Sequence, residues 1–134
     1  MGSVAVDGGL IIALFDASDA HHAWSVEQIQ EIVTARHVIV ISALTVAEVL
    51  VRPAQAGAAD AVRADLMSLR PRIVDVDADI AARAAELRAS RSRLRLPDAI
   101  IVATALFVQC DYLVTTDQRM ANAADDIPVR VSPA

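Results

Sequence analysis

The chain has 134 residues, 55% of them hydrophobic, and a formal charge of −5 in which all twelve basic side chains are arginine. The absence of lysine excludes a P-loop lysine, a Schiff base, a lysine general base and the lysine partner of a phosphoaspartate site. A lone cysteine, Cys110, excludes an intrachain disulfide and a thiolate metal cage; it is expected to be a buried apolar residue in a reducing compartment.

In chain order, residues 4–6 are apolar, stop at Asp7-Gly8-Gly9 and resume over 10–15, the pattern of a buried strand turning sharply into a helix. Residues 24–36 place Val26, Ile29 and Val33 at helical spacing, with Glu27, Gln28, Gln30 and Glu31 opposite, which predicts an amphipathic surface helix. Residues 37–41 are β-branched and apolar, a second strand buried on both faces. Ser42 follows as the N-cap of a helix running through Thr45, Glu48 and Leu50 to Pro53. Residues 54–69 carry Val62, Leu66 and Leu69 on one helical face, and residues 73–76 read as a third strand.

Ile80, Ala84 and Leu87 mark a further helix that ends in an arginine-dense stretch. Pro97 then opens a helix over 98–109 that is apolar on nearly every side and therefore central. Residues 112–115 and 129–131 complete the strands. Strands that alternate with helices and are apolar throughout predict an α/β fold with a parallel sheet. The length suits one domain over residues 1–134, burying roughly two thirds of the unfolded surface. The longest apolar run, 99–108, is far short of the ~20 residues a bilayer demands, and the N-terminus lacks the basic start of a signal peptide, so a cytoplasmic location away from membranes is expected.

In a parallel sheet, ligands sit beyond the carboxyl ends of the strands. Asp7 and Asp117 stand there directly; Glu48 lies about two turns into the helix after the second strand, and Asp98 opens the apolar helix before the fourth. Singly, each has a structural explanation: a turn at Asp7-Gly8, a capping box in Thr45-x-x-Glu48, neutralisation of a helix N-terminus by Asp98, a closing turn at Asp117. Jointly they share one sheet edge, and Glu48 and Asp98 sit in otherwise apolar helices where an unpaired carboxylate is costly. A divalent cation relieves that cost, and oxygen ligands without histidine or cysteine favour Mg²⁺ or Mn²⁺ over zinc.

Asp75, Asp77, Asp79 and Glu86 imitate a calcium loop, but Ile80 stands where glycine is required and Arg83 at the ninth position, so Asp77 or Asp79 is expected to cap the next helix instead. His21 and His22 point about 100° apart on a helix and cannot chelate together; a solvated surface role is expected. Asp111, Asp125 and Asp126 read as loop and turn solvation.

The strand ending at Asp7 with its following Leu10-Ile11-Ile12-Ala13-Leu14, the Ser42-x-x-Thr45-x-x-Glu48 spacing, Leu96-Pro97-Asp98-Ala99 and Leu113-Val114-Thr115-Thr116-Asp117 together resemble the PIN-domain signature over nearly the whole chain. In length and layout the chain is similar to the VapC toxins of VapBC toxin–antitoxin pairs. That resemblance implies a three-layer α/β/α sandwich with a central parallel sheet of about five strands, and metal-dependent endoribonuclease activity. It also implies a cognate VapB-type antitoxin and a homodimer. Asp7, Glu48, Asp98 and Asp117 occupy the family's acidic positions, with Asp7 and Asp98 as expected direct ligands of Mg²⁺ or Mn²⁺, Glu48 and Asp117 as ligands directly or through water, and Thr115 beside the last carboxylate. One departure is Gly8-Gly9, where the family usually carries a serine or threonine within two residues of the first aspartate.

An RNA substrate conflicts with a charge of −5 only if the charge is averaged. Residues 80–97 hold five arginines against Glu86 and carry +4, leaving −9 elsewhere. Of these, Arg88, Arg91, Arg93 and Arg95 are expected to guide the phosphate backbone, since arginine makes planar bidentate contacts with phosphate; a solvated loop is the plain alternative. With one Trp, one Tyr and two Phe, stacking of bases on aromatic rings is not the main mode of recognition. A haloacid-dehalogenase phosphatase or receiver domain would need a lysine. The other alternative is a catalytically silent PIN-like module that binds RNA or a partner.

Overall fold

A computed structural model describes residues 2–133. Strand β1 (Ser3–Val6) leads into α1 (Gly8–Leu14) and α2 (His22–Thr34); β2 (Val38–Ser42) leads into α3 (Ala43–Gln55) and α4 (Ala59–Ser68). Then follow β3 (Arg72–Val74), α5 (Ala78–Ser90), α6 (Leu96–Val108), β4 (Tyr112–Thr115), α7 (Gln118–Ala123) and β5 (Val129–Val131). The five strands form one sheet in the order β3-β2-β1-β4-β5, and every pairing is parallel. The α/β expectation is met, with β1 at the centre.

Alternation along the strands makes two cores. Val4 and Val6 of β1, Ile39 and Ile41 of β2 and Val114 of β4 pack with Leu10, Ile11, Ile29, Ile32, Val49 and Leu66 on the α1–α4 side. Ala5, Val40, Val74 and Leu113 face the other way, against Ile80, Ala84 and Leu87 of α5 and the apolar length of α6. Both faces of the sheet are therefore covered, as an all-parallel sheet requires, and the result is the expected three-layer sandwich. Helix α6 is buried at Ala99, Ile101, Val102, Ala103 and Ala105, which accounts for its lack of a polar face.

Local chemistry sets most boundaries. Ser42 caps α3, its Oγ accepting from the Leu44 N–H at 3.1 Å, and Asp77 caps α5 through the Ile80 N–H at 2.9 Å. Thr45 lies inside α3 and is fully buried, so the capping-box reading of Thr45 and Glu48 does not hold. Helix α3 continues through Pro53 to Gln55, and Gly57, at φ +72°, turns the chain so that α4 starts at Ala59 rather than at residue 54.

The face of α2 also differs from expectation. Ser25, Gln28, Ile29 and Ile32 are buried while Val33 is 59% exposed, so the apolar stripe runs through Ile29 and Ile32, with a serine and an amide buried beside it, and leaves Val33 in solvent. His21 and His22 are half-buried rather than solvated: their Nδ1 atoms lie 2.8 Å from Ser132 Oγ and from the Ala13 carbonyl, tying the start of α2 to neighbouring elements. Cys110 is buried as expected, and burial raises its thiol pKa. Among the described residues, no helix is long and apolar enough to cross a membrane.

Candidate active site

The strand order reverses direction between β1 and β4, so a crevice opens beyond their carboxyl ends. Asp7 leaves β1 there in extended backbone and caps α1, Oδ1 accepting from the Gly8 N–H at 2.8 Å. Its other oxygen, Oδ2, accepts from the Thr115 hydroxyl at 2.8 Å, and that same hydroxyl accepts the Asp117 N–H at 3.0 Å. Thr115, fully buried at the end of β4, therefore couples the first and last carboxylates. Burial raises the Asp7 pKa; the Thr115 and Gly8 hydrogen bonds lower it in part, and the charges of Asp98 and Asp117 add to the rise.

Asp117 caps α7, its Oδ1 accepting from the Arg119 and Met120 N–H groups at 2.9 and 3.2 Å. Asp98 lies in the first turn of α6 behind Pro97 and is only 7% exposed. Glu48 projects from α3 at the rim. Although the residue as a whole is exposed, its Oε1 turns back over Gly8, 3.8 Å from where a side chain there would begin. Burial raises the Glu48 pKa, as do the charges of Asp7 and Asp98, against the opposing charge of Arg95.

Asp7, Glu48, Asp98 and Asp117 line one cleft of about 290 Å³, together with Gly8, Gly9, Ile12, Arg95 and Thr116. The four carboxylates singled out in the sequence thus come together from four different elements. As they stand, no three acidic side chains among the described residues are close enough to enclose an ion. The donor chemistry nevertheless fits a hard divalent cation: the acidic donors are all oxygen, Asp7 is kept from ionising easily by burial, and two carboxylates already converge on one cation.

That cation is Arg119, which the sequence reading did not single out. Its Nη2 donates to Asp98 Oδ2 at 2.8 Å and to Asp117 Oδ2 at 2.9 Å, and its Nη1 donates to the Arg93 carbonyl at 2.7 Å. Hydrogen bonding to Asp98 is the main reason its guanidinium pKa is raised. The signal available in the sequence was an arginine two residues past the last aspartate, but α7 was not predicted and Arg119 had no place. Arg95, with a 68% exposed side chain, stands 3.5 Å from the same two oxygens.

Thr116 was also missed. A Cβ at Gly9 would lie 2.6 Å from its Oγ1, so the hydroxyl of Thr116 fills the space beside Gly9 where the family pattern leads one to expect a serine or threonine. The other arginines differ in their freedom. Arg88 and Arg93 are exposed, whereas Arg91 is bound to Asp125 at 2.9 Å and to Asp126. Asp125 and Asp126 are therefore ion-pair partners and not mere loop solvation.

The PIN domain family model matches residues 4–126. A chain of a toxin–antitoxin complex from Klebsiella pneumoniae is 29% identical, with 96% of each chain covered and a TM-score of 0.70. A sarcin–ricin-loop-cleaving VapC toxin from Mycobacterium tuberculosis is 22% identical over 90% of this chain and 95% of its own, with a TM-score of 0.73. DNA-bound VapBC from Salmonella typhimurium shares the fold at 18% identity, 98% coverage of each chain and a TM-score of 0.74. No curated protein matches the chain. With its matching sheet, its acidic cleft and a family match over nearly its whole length, the chain belongs to the PIN-domain family.

Proposed function

We propose that the chain is a VapC-type toxin: a single PIN domain, working in the cytoplasm, that hydrolyses RNA phosphodiester bonds with Mg²⁺ or Mn²⁺ and is restrained by a cognate VapB-type antitoxin. The observation that carries this reading is the convergence of Asp7, Glu48, Asp98 and Asp117 in one cleft at the reversal point of a PIN-family sheet. Likeness to a chain of a toxin–antitoxin complex at 29% identity supports the toxin assignment and the partner.

Asp7 and Asp98 would hold the ion directly, with Glu48 and Asp117 holding it directly or through water. When bound, such an ion neutralises phosphate charge and makes water a stronger nucleophile. Thr115 fixes Asp7 Oδ2, so that this carboxylate presents one orientation to the cleft. Glu48, whose Oε1 lies over Gly8 at the rim of the cleft, is placed to orient the attacking water and take its proton at the carboxylate. Arg88, Arg93 and Arg95 steer the phosphate backbone toward the acidic residues.

An apolar groove of about 560 Å³, lined by Ile12, Phe15, Val51, Pro53 and Val62 among others, shares Ile12 and Glu48 with the cleft. An antitoxin segment seated there would cover the rim of the active site. The expected assembly is a homodimer, which light scattering measures.

Incubation with total RNA, with and without Mg²⁺ or Mn²⁺, followed by mapping of new 5′ ends, tests the activity. Discrete metal-dependent cuts that vanish in a folded Asp98→Asn variant are expected. Cuts that persist in that variant would overturn the site assignment, and no cuts by the wild type would point to the catalytically silent module.

A further inference from the structure

We propose that Arg119 is a built-in substitute for the divalent cation: it holds Asp98 and Asp117 together in the metal-free protein, yields them when the ion binds, and so sets the metal affinity of the cleft. The proposal rests on the metal-dependent reading above. Two carboxylates from separate elements, one of them buried, would repel each other without a cation between them. A single nitrogen, Arg119 Nη2, lies within 2.9 Å of both, on Asp98 Oδ2 and Asp117 Oδ2.

The oxygens it holds are those an incoming ion would need. Asp117 Oδ1 is committed to the backbone of α7, which leaves Oδ2 as its oxygen for a ligand. On Asp98, Oδ2 is the atom that both Arg119 and Arg95 approach. Metal and guanidinium therefore compete for Asp117 Oδ2, and an ion that takes Asp98 through Oδ2 meets the same guanidinium there.

Arg119 is also the partner able to move. Its side chain is 36% exposed while that of Asp98 is 11% exposed, so the arginine can swing toward water and the aspartate cannot. The Nη1 bond to the Arg93 carbonyl gives the guanidinium a tether independent of the carboxylates, so release of Nη2 does not require the side chain to leave the site. Arginine stays protonated at any working pH, so the guanidinium itself is not switched off by a change of pH. Arg95, more exposed and more distant at 3.5 Å, is a weaker second cation and does not replace Arg119.

Calorimetric titration of Mn²⁺ into the wild type, Arg119→Gln, Arg119→Lys and Asp98→Asn, combined with metal-free thermal melts, tests the exchange. Arg119→Gln is expected to melt at a lower temperature without metal and to bind Mn²⁺ at least about tenfold more tightly, the factor that loss of one charge-assisted hydrogen bond implies. Arg119→Lys, with a point charge in place of the planar fork, should fall between it and the wild type, and decides the matter if the glutamine variant does not fold. Equal or weaker Mn²⁺ binding by these variants, with the wild type binding and Asp98→Asn not, would overturn the proposal and leave the metal reading standing. No Mn²⁺ binding by any of the proteins would overturn the metal reading and the exchange with it.

Discussion

Thr115 shows how much one hydroxyl can organise. It donates to Asp7 Oδ2 and accepts from the Asp117 N–H, linking residues at opposite ends of the chain across the β1–β4 pairing. Thr115→Val keeps the shape but leaves a buried acceptor and a backbone donor without partners. It should destabilise the protein by about 1–3 kcal/mol, seen as a lower urea midpoint with an unchanged slope. The acidic residues were legible because carboxylates at strand ends and in apolar helices violate the burial pattern around them. Arg119 was not, since an arginine near an acidic motif is unremarkable until a helix cap bends its side chain back over the motif. Thr116 was hidden likewise: its role comes from the space that Gly9 leaves open, which neither residue shows alone.

At the scale of elements, the strands were read closely because an all-apolar run admits few alternatives, and the fourth and fifth agree with the structure residue for residue. Helix ends were harder. Three of them pass into left-handed backbone at Arg36, Arg70 and Gln109, without the glycine that normally marks such a stop. Gln109, at φ 62°, is exposed and closes α6. Gln109→Gly should therefore stabilise the protein by about 1 kcal/mol, the cost of holding an L-residue there, measured by chemical denaturation. The arginine-rich connection between α5 and α6 is likewise not the free loop its composition suggested. It is tied by Arg91 to Asp125 and Asp126 and by the Arg93 carbonyl to Arg119. Arg88→Ser with Arg93→Ser should reduce the slope of log affinity for RNA against log salt by about one for each phosphate no longer neutralised. Arg91→Ser should barely change that slope, since its charge is already neutralised within the fold.

Across the whole molecule, the net charge of −5 is unevenly distributed. Carboxylates gather at the sheet's reversal point, where Arg95 lines the cleft and Arg119 bridges two of them. The parallel sheet was foreseeable because alternation of strands and helices has few packed solutions, and the three layers because of the resemblance to the PIN-domain signature. The order of the strands was not, because it depends on which strands lie beside β1, a long-range choice that leaves no local trace. That central place of β1 has a consequence for the making of the protein. Asp7 is made 108 residues before its hydroxyl partner on β4, and its fellow carboxylate on the cap of α7 comes later still. Domains condense as the chain emerges, but this cleft cannot close until β4 and α7 have followed the other elements that line it. A chain cut short before β4 would carry Asp7, Glu48 and Asp98 without Thr115 and Asp117, three carboxylates without the hydroxyl that holds the first of them in place.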